Sequence, residues 1–139
     1  MIYWGCLVML TKEQLQGILL SLAKTEITVN RNEENIVGYT VRLRVHFRSN
    51  LEFLTAIQRT LLQYGIEGLL KERESKVRPR PILYIGKIQY VKILSGLIPD
   101  IPDHRNQWDG FKRAVDIVYS GGHHSQEGID EILEIKGVL

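Results

Sequence analysis

The sequence predicts an α+β fold: an αββαββα unit on one four-stranded antiparallel sheet, with its helices on one face. Three observations carry this expectation. Residues 39–47 alternate without a break, with Tyr39, Val41, Leu43, Val45 and Phe47 pointing one way and Thr40, Arg42, Arg44 and His46 the other. A second alternating run, Glu26–Arg31, precedes it across the polar stretch Asn30–Asn35, which reads as a hairpin loop. The segments flanking this hairpin carry apolar residues at helical spacing instead: Leu15, Ile18, Leu19 and Leu22 before it, and Phe53, Leu54, Ile57 and Leu61 after it.

Each element has its own signal. Thr11-Lys12-Glu13-Gln14 has the form of a capping box, so the first helix starts near Leu10–Lys12 and runs to about Lys24. In the first strand Ile27 and Val29 share one face, and Glu26, Thr28 and Asn30 the other. Ser49 or Asn50 caps the second helix, which runs to Tyr64 with Gly65 as its stop. A third strand is expected over Leu69–Lys76 and a fourth over Ile82–Ile85, around the turn Arg78-Pro79-Arg80-Pro81; the prolines suit an edge or a turn. Helices follow over Lys87–Leu97, Asn106–Tyr119 and Ser125–Lys136, the last two separated by Gly121-Gly122. The chain reads as a single domain, 1–139, with residues 1–10 as an apolar N-terminal extension and 106–139 as C-terminal helices.

A net charge of +2 gives no argument for a nucleic-acid partner by its total. Its distribution does. Five of the ten residues from Lys71 to Arg80 are basic (Lys71, Arg73, Lys76, Arg78 and Arg80), and Arg42, Arg44, His46 and Arg48 form a second basic row. Taken alone, that row reads as a solvated outer face; with the basic Lys71–Arg80 strand and turn expected in the same sheet, it reads as a β-ribbon that contacts DNA in the major groove. The single cysteine, Cys6, excludes an internal disulfide and a cysteine-based zinc site, and it fits a reducing intracellular compartment without choosing between organelle and cytoplasm. Met1–Leu10 is too short to span a bilayer and lacks the basic start of a signal peptide, so no membrane partner is expected. His123 and His124 are adjacent and, with His104, lack the spacing of a helical zinc pair. Asp130, Glu131 and Glu134 read as the wet face of the last helix.

The first helix holds the most specific signal. In Leu15-Gln16-Gly17-Ile18-Leu19-Leu20-Ser21-Leu22-Ala23, Gly17 and Ser21 lie one turn apart on a leucine-rich helix that runs straight into a strand. With the passage His46–Gly65, the run Leu83-Tyr84-Ile85-Gly86-Lys87 before Leu94, Leu97 and Pro99, and the tail Trp108, Phe111 and His124–Lys136, this resembles the LAGLIDADG homing endonuclease family over nearly all of the chain after Leu10. The resemblance implies a fold in which two motif helices pack together and paired sheets straddle double-stranded DNA. One motif per chain implies a homodimer, or half of a longer parent, with Gly17, Ile18, Ser21 and Leu22 at the interface. It implies a DNA-binding surface of Thr28, Asn30, Thr40, Arg42, Arg44, His46, Lys71, Arg73, Lys76, Arg78 and Arg80. It also implies an ancestral activity, Mg²⁺-dependent cleavage at an intron insertion site.

One departure bears on that activity. The family's metal-binding acid falls at Leu22, and Ala23 replaces the closing glycine. An aliphatic side chain offers no oxygen to a hard cation, so cleavage is expected to be impaired. The catalytic candidates that remain by resemblance are Lys87, near the scissile phosphate, and His46, beside the attacking water. Glu26 is a weak fallback metal ligand, four residues past the usual position. Two other readings stay open. The chain could be an endonuclease still active through a displaced acid or a partner chain, or an intron maturase-like protein whose basic surface meets RNA.

Overall fold

Thr11 starts the first helix as expected: its hydroxyl accepts from the Gln14 amide (3.1 Å) while Gln14 Oε1 accepts from the Thr11 amide (2.9 Å). In the computed structural model, which describes residues 9–99 and 106–138, the elements are α1 (Lys12–Ser21), β1 (Lys24–Arg31), β2 (Tyr39–Arg48), α2 (Leu51–Leu62), β3 (Leu69–Lys71), β4 (Ile82–Ile85), α3 (Ile88–Gly96), α4 (Gln107–Tyr119) and α5 (Gln126–Lys136). Most of the N-terminal extension, with Cys6, and His104 lie outside the described residues. A single 3-10 turn, Gly122–His124, joins α4 to α5 at the expected glycine break. No helix among the described residues is long and apolar enough to cross a membrane.

The strands form one antiparallel sheet in the order β1-β2-β4-β3. β1 and β2 pair continuously from Lys24↔His46 to Arg31↔Tyr39. The turn between them closes on Asn35, whose Oδ1 accepts from the Val37 and Gly38 amides; Gly38 sits at φ +79°, where a Cβ would be strained. The largest differences from the expected boundaries are at α1 and β3. α1 ends at Ser21, and the chain enters β1 after only Leu22 and Ala23. β3 stops at Lys71 rather than Lys76. Beyond it Pro79 and Pro81 have no N–H to give a ladder, and the chain closes on itself instead: Ser75 donates to the Arg78 carbonyl (3.0 Å) and Glu74 to the Arg80 carbonyl (2.9 Å). Arg73 and Lys76 are therefore loop residues, not strand residues, and join Arg78 and Arg80 of the expected turn.

Leu43, Val45, Phe47, Leu83 and Ile85 from the sheet meet Leu15 and Leu19 of α1, Leu54, Ile57 and Leu61 of α2, Val91 and Leu94 of α3, and Trp108 and Phe111 of α4 in one core. The Trp108 ring stands edge-on to Phe111, with centroids 5.6 Å apart. Its Nε1 donates to the buried carbonyl of Leu19 (2.8 Å), supplying a partner at the C-terminal end of α1, where no intrahelical donor remains. Gln107, one residue earlier, donates through Nε2 to the Ala23 carbonyl (2.7 Å) and accepts from the Thr25 amide (3.0 Å). Its primary amide thus pairs with the outer edge of β1 as a neighbouring strand would.

Candidate functional site

The register decides which side chains share the face away from the core, because partners directly opposite in an antiparallel pair point the same way. Thr28↔Arg42, Glu26↔Arg44 and Asn30↔Thr40 place those residues on the open face, and His46↔Tyr84↔Leu69 and Arg48↔Ile82↔Lys71 extend it across β4 and β3. Thr40, Arg42, Lys71, Arg73, Lys76, Arg78 and Arg80 are exposed, as are Asn30 and Lys87.

A chain of alternating charges crosses this face. Arg48 makes a bidentate bond to Glu74, Nε to Oε1 (2.8 Å) and Nη2 to Oε2 (2.9 Å), and its Nη1 reaches His46 Nε2 (2.9 Å). Arginine can only donate, so Nε2 is the acceptor and the His46 proton sits on Nδ1. Nδ1 lies 3.0 Å from Glu26 Oε1, an approach too oblique to complete a hydrogen bond. The other oxygen, Oε2, accepts from Arg44 Nε (2.6 Å), and Arg44 Cζ lies 4.4 Å above the Tyr84 ring. Glu74 is held below the ordinary carboxylate range by its bond from Arg48.

His46 differs from its same-face neighbours on the strand in being covered. It is expected on the face it shares with Arg42 and Arg44, as a DNA contact and catalytic candidate; it lies on that face, but only 5 % of it is accessible. Alternation fixes the direction of a side chain and not what covers it, and here Arg48 and Glu26 do. Burial lowers its pKa more than Glu26 raises it, with Arg48 and Arg44 adding to the lowering and Glu74 opposing. An unfolded imidazole titrates near about 6.5. Just below that value the unfolded chain binds the proton and the folded one does not. The contribution to stability is therefore full above about pH 6.5 and is lost as pH falls through the lower folded value. His123, lowered by burial and by His124, adds in the same direction. Urea unfolding at about pH 7 and about pH 5 should show a smaller difference in His46→Gln than in wild type. An unchanged difference would assign the acid sensitivity elsewhere.

The two catalytic candidates do not meet. Lys87 is the N-cap of α3 and lines a recess of about 620 Å³ with Arg42, Arg44, Lys71, Tyr84 and Tyr90; His46 is not part of its wall. A second recess, of about 720 Å³, runs along the β1 edge between Glu26, Thr28 and Arg44 and residues Asp109, Arg113 and Lys136 of α4 and α5. Glu26, the fallback metal ligand, is committed to Arg44 and His46. No group of three or more metal-ligating side chains occurs among the described residues. On α1, Gly17 and Ser21 are exposed, Ile18 and Leu22 are half-buried, and a Cβ on Gly17 would meet nothing within 4 Å. Ser21 Oγ turns back onto the Gly17 carbonyl (2.7 Å).

Tyr84 and Glu74 are not among the site residues that the sequence pointed to. Tyr84 had a signal, since β4 alternates and Tyr84 falls opposite Leu83 and Ile85; Glu74 had none.

No protein-family model and no curated protein sequence matches this chain. Solved structures do. The homing endonuclease I-TnaI superposes with a TM-score of 0.75 at 19% identity, covering 92% of this chain and 86% of that one. The LAGLIDADG meganuclease I-CpaMI, bound to uncleaved DNA, gives 0.75 at 18% identity over 94% of this chain and 45% of its own. The LAGLIDADG homing endonuclease I-LtrWI, bound to target DNA, gives 0.76 at 18% identity over 94% and 44%. This chain thus spans less than half the length of the last two. The fold is that of the LAGLIDADG homing endonucleases.

Proposed function

We propose, from this shared fold, that the protein binds double-stranded DNA sequence-selectively in the major groove as a homodimer, and cleaves it poorly or not at all. The observation that carries the reading is the uncompensated charge on the open face, in the loop after β3 and at the start of α3. Arg42, Lys71, Arg73, Lys76, Arg78, Arg80 and Lys87 are exposed and make no ion pair among the described residues, whereas Arg44 and Arg48 are matched by Glu26 and Glu74. A two-stranded ribbon such as β1–β2 fits a major groove. Thr28, Asn30 and Thr40 stand on the same ribbon face as polar contacts.

The site does not fit the Mg²⁺ that the fold implies. Leu22, at the end of α1, brings no oxygen, and Glu26 is already paired with a guanidinium. A homodimer would lack the acid twice. The exposed Gly17/Ser21 face of α1 supports the dimer, because small residues let two helix backbones approach closely.

A gel-shift competition tests this reading: a pool of labelled duplexes against structured RNA, with and without Mg²⁺, with the same mixtures sequenced for discrete ends and the protein sedimented alongside. Duplex should win, no discrete ends should appear, and wild type should run as a dimer. Gly17→Leu should fold, since leucine is the better helix former by roughly 1 kcal/mol and the monomer has room for it, but should sediment as a monomer. Preference for RNA would favour the maturase-like reading. Specific cuts lost on Glu26→Gln would restore an active enzyme with a displaced acid.

A further inference from the structure

We infer that Arg44 is the base-reading residue of this surface, directed at a guanine in each half-site, and that Glu26 and Tyr84 are the positioning residues that hold it. This rests on the duplex binding proposed above. The cations of the open face fall into two kinds. Arg42, two residues away on the same strand, is exposed and makes no ion pair among the described residues, as suits a side chain that follows phosphates wherever they lie. Arg44 is held on two sides: Glu26 on β1 takes its Nε at 2.6 Å, and the Tyr84 ring on β4 lies 4.4 Å beneath its guanidinium. Glu26 is itself confined, with its second oxygen 3.0 Å from His46 Nδ1.

The clamp leaves a particular part of the side chain free. Nε is occupied, while Nη1 and Nη2 make no hydrogen bond among the described residues. Those two nitrogens form the end-on fork that donates to guanine O6 and N7. The side chain remains 36% accessible, in the wall shared by the recess of the open face and the recess along the β1 edge, so the fork is within reach. The charge of Arg44 is also locally balanced by Glu26. It therefore adds little to non-specific attraction for the DNA backbone, and its worth lies in geometry. A pre-ordered fork discriminates because the wrong base leaves it unpaired.

The test is selection of bound duplexes from a randomised library at two salt concentrations, for wild type, Arg44→Lys, Tyr84→Leu, Glu26→Gln and Arg42→Ala. Wild type should return a motif with a guanine in each half-site. Arg44→Lys keeps the charge and loses the fork; it should reduce the preference at that position by roughly tenfold to a hundredfold and leave the salt slope alone. Tyr84→Leu and Glu26→Gln should weaken the same position and spare the others, which a loss of folding would not do; the urea midpoint of each variant checks this. Arg42→Ala should keep the motif and flatten the salt slope by about one unit per subunit. A motif unchanged in Arg44→Lys, or altered equally at every position in Tyr84→Leu, overturns the inference. Wild type that binds duplex without base preference also overturns it while leaving duplex binding intact. Wild type that binds no duplex sinks both.

Discussion

Reversing two charges, Arg42→Glu with Arg44→Glu, is expected to abolish specific duplex binding. Each replacement removes one positive charge and adds a negative one, so the pair shifts a subunit by −4, from +2 to −2. Both sites lie in the middle of the open face, on the ribbon that would enter the groove. If the dimer contacts about six to ten phosphates, the wild-type affinity should itself fall by roughly 10³-fold or more between about 50 and 200 mM salt. Anisotropy titrations across that range give both quantities. The fold should survive. Arg42 holds nothing in place among the described residues. Glutamate at position 44 would face Glu26 across the strands, at a cost of about 1 kcal/mol for a partly exposed like-charge pair. Binding that persists in the double variant would move the interface off the sheet.

The largest loss of stability should come from Trp108→Ala. Trp108 is 1% accessible and stands against Phe111 in the core that joins α4 to the sheet. Emptying a site of that size costs about 3–5 kcal/mol, a large part of the roughly 5–15 kcal/mol that holds an ordinary domain together. One term can be separated. Trp108→Phe keeps most of the apolar volume and removes the indole N–H, so the Leu19 carbonyl loses its donor; an unmet buried carbonyl costs about 1–3 kcal/mol. Urea unfolding of the two variants should therefore rank Trp108→Ala below Trp108→Phe, and both below wild type. A Phe variant as stable as wild type would mean that the indole bond contributes nothing net. The effect reaches the open face, because the α1 end that Trp108 ties down is two residues from the start of β1.

What the sequence made legible is what periodicity encodes. The alternation of residues 39–47 placed Leu43, Val45 and Phe47 in the core and Arg42 and Arg44 outside it, and the Thr11 and Asn50 caps marked where two helices begin. The fold class followed from these local signals. Illegible were the features that depend on pairing across the sheet. His46 obeyed the alternation and was still buried, because Arg48 reaches back over it to meet Glu74, a residue 26 positions along the chain. Glu26 read as a possible metal ligand because its partner Arg44, 18 positions away, is beside it only through the β1–β2 register. The turn at Arg78-Pro79-Arg80-Pro81 was legible from its prolines, but the third strand expected over Leu69–Lys76 stops at Lys71, because the 74–80 segment bonds to itself instead of to β4.

The amide of Gln107 also bears on how this protein behaves in a crowd of its own copies. β1 is a terminal strand, and every second residue turns its N–H and C=O outward, where another chain could add a strand and begin a polymer. Gln107 occupies two of those groups, Ala23 O and Thr25 N, and so stops the edge at the end that joins α1. The remaining template, around Ile27 and Val29, is short, and the tip beyond it carries Arg31, Glu33 and Glu34 as like-charge deterrents in either sign. The β1 edge is thus closed at that end from α4 by one neutral side chain, leaving the cations of the sheet face free of that task.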